Sequence, residues 1–144
     1  MIYFAPLRTK PEWQWFKERT HVISCEDTQG IVAYRETGCI AGMVVFDTWT
    51  DNSANVHLAI DDPTCIRRGL LREAAIHAYH VGGKKRLFGL VPSNNAKALR
   101  LNKKIGFREV ARVPDAIDDG IDYVVMRLDK EECRWLPALL KEAS

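Results

Sequence analysis

The pattern of this 144-residue chain predicts one α+β domain, and three observations carry the prediction. Strand-like runs follow one another without helical interruption between Gly30 and Ile60. Two helical stripes lie between Arg67 and Gly82 and between Asn95 and Ile105. Two further strand-like runs, joined through Asp119-Gly120, come after the second stripe. At 47% hydrophobic and 28% charged residues, the composition is that of a chain able to bury a core, so 1–144 is expected to be one unit with a short helical tail from about residue 129.

In chain order, Ile2 to Ala5 form a first strand. Thr9-Lys10-Pro11-Glu12 has the spacing of a capping box with proline in the first turn, which starts a helix from about Lys10 to Arg19. Trp13 and Phe16 share one face of that helix and Trp15 lies off it; they pack in the core or wall an acceptor pocket. Residues His21 to Thr28 show no period and are left as a loop or one short helix. Gly30–Arg35 and Cys39–Asp47 then form a hairpin around Glu36-Thr37-Gly38, and Asn55–Ile60 adds a third antiparallel strand with Val56, Leu58 and Ile60 on one face and Asn55, His57 and Ala59 on the other.

Pro63 stops that strand, and from Arg67 the stripe Leu71, Ala74, Ala75, Ala78 predicts a helix that Gly82-Gly83 ends. Arg86–Val91 is a short apolar strand closed by Pro92. Ser93 or Asn94 caps the next helix, in which Ala98, Leu101 and Ile105 share a face, Lys97, Arg100, Lys103 and Lys104 spread around the polar side, and Gly106 supplies the left-handed stop. Phe107–Val113 and Asp122–Leu128 are the last strands, and Asp129 caps a final short helix broken at Pro137.

Charge and cysteine usage narrow the function classes. A net charge of +2 does not argue for nucleic acid, and the Lys97–Lys104 helix lacks an aromatic base-stacking pattern, so nucleic-acid binding is disfavoured. No run reaches the about 18 apolar residues a membrane span needs, and Met1–Arg8 lacks a basic leader with an apolar signal core, which makes cytoplasmic residence the expectation. Cys25, Cys39, Cys65 and Cys133 show no metal or redox spacing and are expected to be reduced thiols. His77 and His80 lie one turn apart without a third ligand nearby, so no metal is assigned.

Asn95, Ala98, Leu101 and Gly106-Phe107, with a strand before them and Arg108-Glu109-Val110 after, fit at full spacing the form N-x-x-A-x-x-L-Y-x-x-x-G-F. In this the chain resembles the GCN5-related N-acetyltransferases (GNAT), whose second coenzyme-A motif has that form, and the order of elements extends the resemblance over most of the chain. The resemblance implies a central mixed, mostly antiparallel twisted sheet flanked by helices. It also implies acetyl-CoA as cosubstrate and direct transfer to a primary amine of a small molecule or protein in a ternary complex, with a homodimer as one allowed assembly. The helix start Arg68-Gly69-Leu70-Leu71 and the tail Cys133-Arg134-Trp135 also resemble small acetyltransferase-like proteins of tailed phages.

The family's main coenzyme-A motif, R/Q-x-x-G-x-G/A, is implied at Cys65–Arg72, with Gly69 as the first glycine, Ile66 in the leading position and Leu71 at the second glycine. Main-chain amides of Arg67, Arg68, Gly69, Leu70 and Leu71 are expected to hold pyrophosphate at a helix start, where side-chain identity matters less. The resemblance adds Leu58, Ala59 and Ile60 along the thioester and pantetheine arm, and Asn95, Ala98, Leu101, Lys103 and Lys104 on the following helix. One or more of Arg67, Arg68, Arg100, Lys103 and Lys104 is expected to meet the coenzyme's 3′-phosphate.

For the chemistry, His57 is the best-placed base, since an imidazole titrates near pH 6.5. An ordinary half-buried histidine is the competing reading, with Asp61 and Asp62 acting through water as a further option. Asn102 stands where the family often carries the tyrosine that protonates the leaving thiolate; it can donate a hydrogen bond to sulfur but no proton. Tyr123 is a substitute phenol or a packing residue. Asp115, Asp118 and Asp119 form a solvated acidic loop or attract a cationic acceptor. The departures at Ile66, Leu71 and Asn102 sustain a rival reading: an idle relative that keeps the fold as a binding or assembly module.

Overall fold

The computed structural model describes residues 1–142. Strand β1 (Ile2–Pro6) leads into helix α1 (Lys10–Thr20), whose predicted capping box is formed. Thr9 Oγ1 accepts from the Glu12 N–H at 3.3 Å, and Glu12 Oε1 accepts from the Arg8 and Thr9 N–H groups at 2.9 Å each. Strands β2 (Gln29–Arg35), β3 (Ile40–Asp47) and β4 (Ser53–Ile60) follow, then the central helix. Its regular part, α2 (Leu71–Ala75), lies between wider π-type turns at Ile66–Leu70 and Ile76–Val81. Strand β5 (Arg86–Pro92), helix α3 (Ala96–Ile105), strands β6 (Arg108–Asp118) and β7 (Ile121–Asp129) and the short helix α4 (Ala138–Lys141) complete the chain.

The strands form one seven-stranded sheet in the order β1-β2-β3-β4-β5-β7-β6, antiparallel throughout except for β4 against β5. Side-chain alternation divides it into two faces. On one face Val44, Phe46, Val56, Leu87, Val124 and Met126 pack with Leu70, Ala74, Ala78 and Tyr79 of the central helix and Ile105 of α3. On the other, Val32, Met43, Val45 and Ala59 receive Phe16 of α1, which is fully buried. The three-strand run between residues 30 and 60 and both long helices are where the sequence pattern puts them.

Four boundaries differ. The central helix starts earlier than Arg67: helical geometry begins at Thr64, where Asp62 Oδ1 accepts from the Thr64 N–H at 3.1 Å and from its hydroxyl at 2.8 Å. Helix α3 is capped by Asn95 rather than Ser93 or Asn94, its Oδ1 accepting from the Ala98 N–H at 3.1 Å. Strand β6 runs through Pro114 to Asp118, which an edge strand tolerates because one side of it has no ladder to break. Asp129 makes no side-chain cap. Its buried carboxylate instead meets Arg86, Arg108 and Arg127 at 3.0–3.3 Å, and Pro137 precedes α4.

Candidate functional site

Strands β4 and β5 pair only at Ser53↔Arg86, Ala54↔Leu87 and Asn55↔Phe88. Beyond Asn55 they part, while β5 stays paired along its other edge with β7 as far as Pro92 and β4 with β3 as far as Ile60. The parting opens a cleft of about 600 Å³. Its first wall is Leu58, Ala59 and Ile60 of β4 with Asp61, Pro63 and Ile66 beyond, and its second is the flank of α3 carrying Asn95, Lys97, Ala98, Arg100, Leu101 and Lys104. Arg19 reaches the same cleft from the end of α1. Its guanidinium is bidentate to Asp61 at 2.9–3.0 Å and lies 3.9 Å over the Trp15 ring.

An apolar floor of Leu58, Ile60, Ala98 and Leu101 with a cationic rim of Lys97, Arg100 and Lys104 suits a long ligand with an apolar arm and an anionic end. Leu58, Ala59, Ile60, Asn95, Ala98, Leu101 and Lys104 were named from sequence and line the cleft, whereas Lys103 is exposed off its edge. Lys97 belongs to the same helical face as Ala98, Leu101 and Lys104, so spacing alone can place it there. Arg19 had no such signal, because its partner Asp61 is 42 residues away.

The segment expected to hold pyrophosphate is arranged differently from a simple helix start. Gly69 breaks the helix with φ +127°, a left-handed value that suits glycine, and a Cβ there would stand 3.3 Å from the Phe4 ring. Arg67 and Arg68 are exposed before the break, while the side chains of Leu70 and Leu71 are buried in the core after it. None of these five residues lines the cleft; Ile66, just before them, does. Leu71 therefore fills the second glycine position as a core residue.

His57 stands two residues beyond the last β4–β5 pair, on the face opposite α2 and α3. Its Nε2 is 2.9 Å from Oδ2 of Asp47, a buried carboxylate at the end of β3, diagonally across from it. The imidazole itself is half-buried, with 22% of its side-chain surface exposed. Tyr123 lies on the same face of the sheet, since its β7 neighbour Val124 points into the larger core, and it pairs with Pro92 and Val113. Asn102 is on the opposite face, buried beneath α3, its amide directed at the Met126 sulfur at 3.8 Å and packed over Gly89. It does not line the cleft.

The acidic loop near Asp115 is smaller than the sequence suggests, because β6 and β7 continue to a tight Asp119-Gly120 turn. Asp115, at φ 57°, uses its carboxylate to accept from the Gly120 N–H at 2.8 Å, a structural task within the hairpin. Asp118 and Asp119 stay exposed at its tip.

The other candidate groups have structural settings. All four cysteines are free thiols, and burial pushes Cys65 up to about 11, which leaves it protonated and unreactive at neutral pH. His77 bonds to Gln29 Oε1 at 2.8 Å, and its pKa is lowered by burial. No cluster of three or more metal-binding side chains occurs among the described residues, and no described helix is long and apolar enough to cross a membrane.

No protein-family model matches the sequence, and no curated protein sequence matches it significantly. Solved structures do match in fold. Spermidine/spermine N-acetyltransferase SpeG from Vibrio cholerae superposes with a TM-score of 0.71 at 12% identity, over 90% of this chain and 93% of the other. A Desulfovibrio desulfuricans protein assigned to the GNAT acetyltransferase family gives 0.71 at 17% identity, over 90% and 99%. The ribosomal-protein-S18-alanine N-acetyltransferase from Escherichia coli gives 0.66 at 21% identity, over 90% and 94%. At these identities the likeness is one of architecture: the chain has the GNAT fold, a mixed seven-stranded sheet flanked by helices.

Proposed function

We propose that this chain, as one acetyltransferase-like domain with a short helical tail, is an acetyl-CoA-dependent N-acetyltransferase that passes the acetyl group directly to a primary amine. The observation that carries this reading is the fork between β4 and β5, which leaves main-chain edge and apolar side chains open to a ligand along a cationic helix. Within it, Leu58, Ala59, Ile60, Ala98 and Leu101 hold the apolar arm. Asn95 has an amide N–H₂ left over from its capping role to donate to it. Lys97, Arg100 and Lys104 answer the phosphates, with Arg67, Arg68 and Lys103 as exposed cations farther out. The amides from Arg67 to Leu71, around the Gly69 break, are the proposed pyrophosphate donors.

When bound, acetyl-CoA supplies an acyl group activated as a thioester. The chain's own part is to polarise the carbonyl through a β4 N–H near Leu58 to Ile60 and to remove the amine proton through His57, directly or through water, from a position on the opposite face of β4 just outside the cleft lining. Asn102 and Tyr123 complete the proposed set, Asn102 steadying sulfur by hydrogen bonding and Tyr123 offering a phenol from the His57 side. Asp118 and Asp119 favour a cationic acceptor, of which the polyamine named for SpeG is one kind.

The idle-module reading is favoured by one observation, the burial of the Asn102 amide against Met126 away from the cleft wall. Calorimetric titration with acetyl-CoA, followed by turnover on a panel of peptides, polyamines and aminoglycosides, separates the two. Binding with turnover supports the enzyme, and binding without turnover supports the module. Neither heat nor thermal shift at millimolar acetyl-CoA refutes the coenzyme assignment and with it the enzyme, leaving a module that keeps the fold without that ligand.

A further inference from the structure

We infer that Asp47 is a positioning residue that fixes His57 with its proton on Nε2, so that Nδ1 is the atom that takes the proton from the acceptor amine; this rests on the proposed function above. Asp47 is 6% exposed, and among the described residues its carboxylate meets no lysine or arginine. Oδ2 lies 2.9 Å from His57 Nε2 and Oδ1 accepts from the Thr48 hydroxyl at 3.1 Å. A buried carboxylate without a cation depends on such donors to offset its desolvation. An ionised carboxylate has no proton to give, so the nitrogen facing it is the protonated one. The other nitrogen, Nδ1, has no hydrogen-bond partner among the described residues, and in the neutral ring it is the one that carries the lone pair.

The arrangement has the logic of a carboxylate holding an imidazole in one tautomer and sharing the charge that develops on it. As the amine nitrogen bonds to the acyl carbon and the carbon–sulfur bond breaks, one N–H bond is exchanged for an Nδ1–H bond. The imidazolium, paired with Asp47, then gives that proton to water or to the departing thiolate, so every proton is accounted for. An apolar residue at position 47 would fit the neighbouring Val45 and Met43 better if packing were its only task.

The test is two-dimensional ¹H–¹⁵N NMR of the histidine side chains in the whole protein, with His57 assigned by its loss in His57→Gln, together with steady-state kinetics. The wild type should show His57 as the Nε2–H tautomer. In Asp47→Asn the oxygen stays with Thr48 and the N–H₂ faces His57, so the ring should switch to Nδ1–H. In that variant kcat should fall by about 10²-fold or more, the usual scale of losing a general base, while acetyl-CoA affinity changes less than twofold. Asp47→Glu, which restores the charge, should recover part of kcat. An Nδ1–H tautomer in the wild type overturns the inference without reference to turnover. Full turnover in Asp47→Asn beside an inactive His57→Ala overturns Asp47's role alone, whereas full turnover in His57→Ala overturns the base assignment beneath it.

Discussion

Replacing Asn95 separates two tasks that this residue carries at once. Its Oδ1 accepts the Ala98 N–H at 3.1 Å and so satisfies one of the four unpaired amides at the start of α3, while the first helical bond, from the Leu99 N–H to the Asn95 carbonyl, survives any side chain. Removing a cap of this type costs 0.5–2 kcal/mol, and because Asn95 is exposed and water can reach the freed amide, Asn95→Ala should cost about 1 kcal/mol. For a chain of 144 residues that corresponds to a Tm lower by about 4 °C. Asn95→Asp keeps the acceptor and adds a negative charge favourable to the helix N-terminus, so its Tm should match the wild type within about 1 °C. Acetyl-CoA affinity should nevertheless fall in both variants, since each loses the amide donor and the aspartate also repels phosphate. Calorimetric melting and isothermal titration on the three proteins give the comparison. An unchanged Tm in Asn95→Ala would refute the cap, and wild-type affinity in Asn95→Asp would refute the amide donor.

Three further outcomes follow from the same structure. Arg100→Glu with Lys104→Glu should weaken acetyl-CoA binding and flatten its salt dependence, measured by titration at two ionic strengths; unchanged affinity for CoA and 3′-dephospho-CoA alike would place the phosphates elsewhere. Gly69→Ala should destabilise by about 1–3 kcal/mol in urea unfolding, because φ +127° strains any side chain and the Phe4 ring stands in the way. Glu12 is a pH probe. Burial opposes its ionisation, but hydrogen bonds from Tyr34, the Arg8 and Thr9 amides and the Thr9 hydroxyl prevail and hold its carboxyl below 4.5. A lowered folded-state pKa adds stability that is present above the unfolded value and lost as pH falls through the folded one. The urea midpoint should therefore drop more steeply below pH 4.5 in the wild type than in Glu12→Gln, and parallel profiles would count against it.

Much of this architecture is legible in the residues because local rules and tertiary packing agree. The alternation of Asn55 to Ile60 gives the correct faces for β4, and the box at Thr9 and Glu12 starts α1 as expected. The departures come where a distant partner decides. Ser93 is a good local cap, but its hydroxyl accepts the Asp122 N–H at 2.8 Å and ties β5 to β7, leaving the cap to Asn95. Pro114 reads as the end of a strand until β6 is known to be an edge. Site residues divide in the same way: the α3 flank follows from helical spacing. Asp47 beside His57 requires the β3–β4 register, and Arg19 over Trp15 and against Asp61 requires α1 to be docked.

The narrow pairing between β4 and β5 also bears on how the molecule holds together. Three residue pairs form the main-chain seam between a four-stranded half, β1 to β4, and a three-stranded half, β5, β7 and β6. Across it, cohesion falls to side chains of the larger core, where Leu70, Ala74 and Tyr79 of the central helix share one cluster with residues from both halves. Tyr79 adds a buried hydroxyl donated to the Leu128 carbonyl at 2.6 Å. Amide exchange should thus report two cooperative units with the helix as their hinge pin, and a molecule wedged in the fork would act as a rivet, slowing exchange on both sides of the seam together.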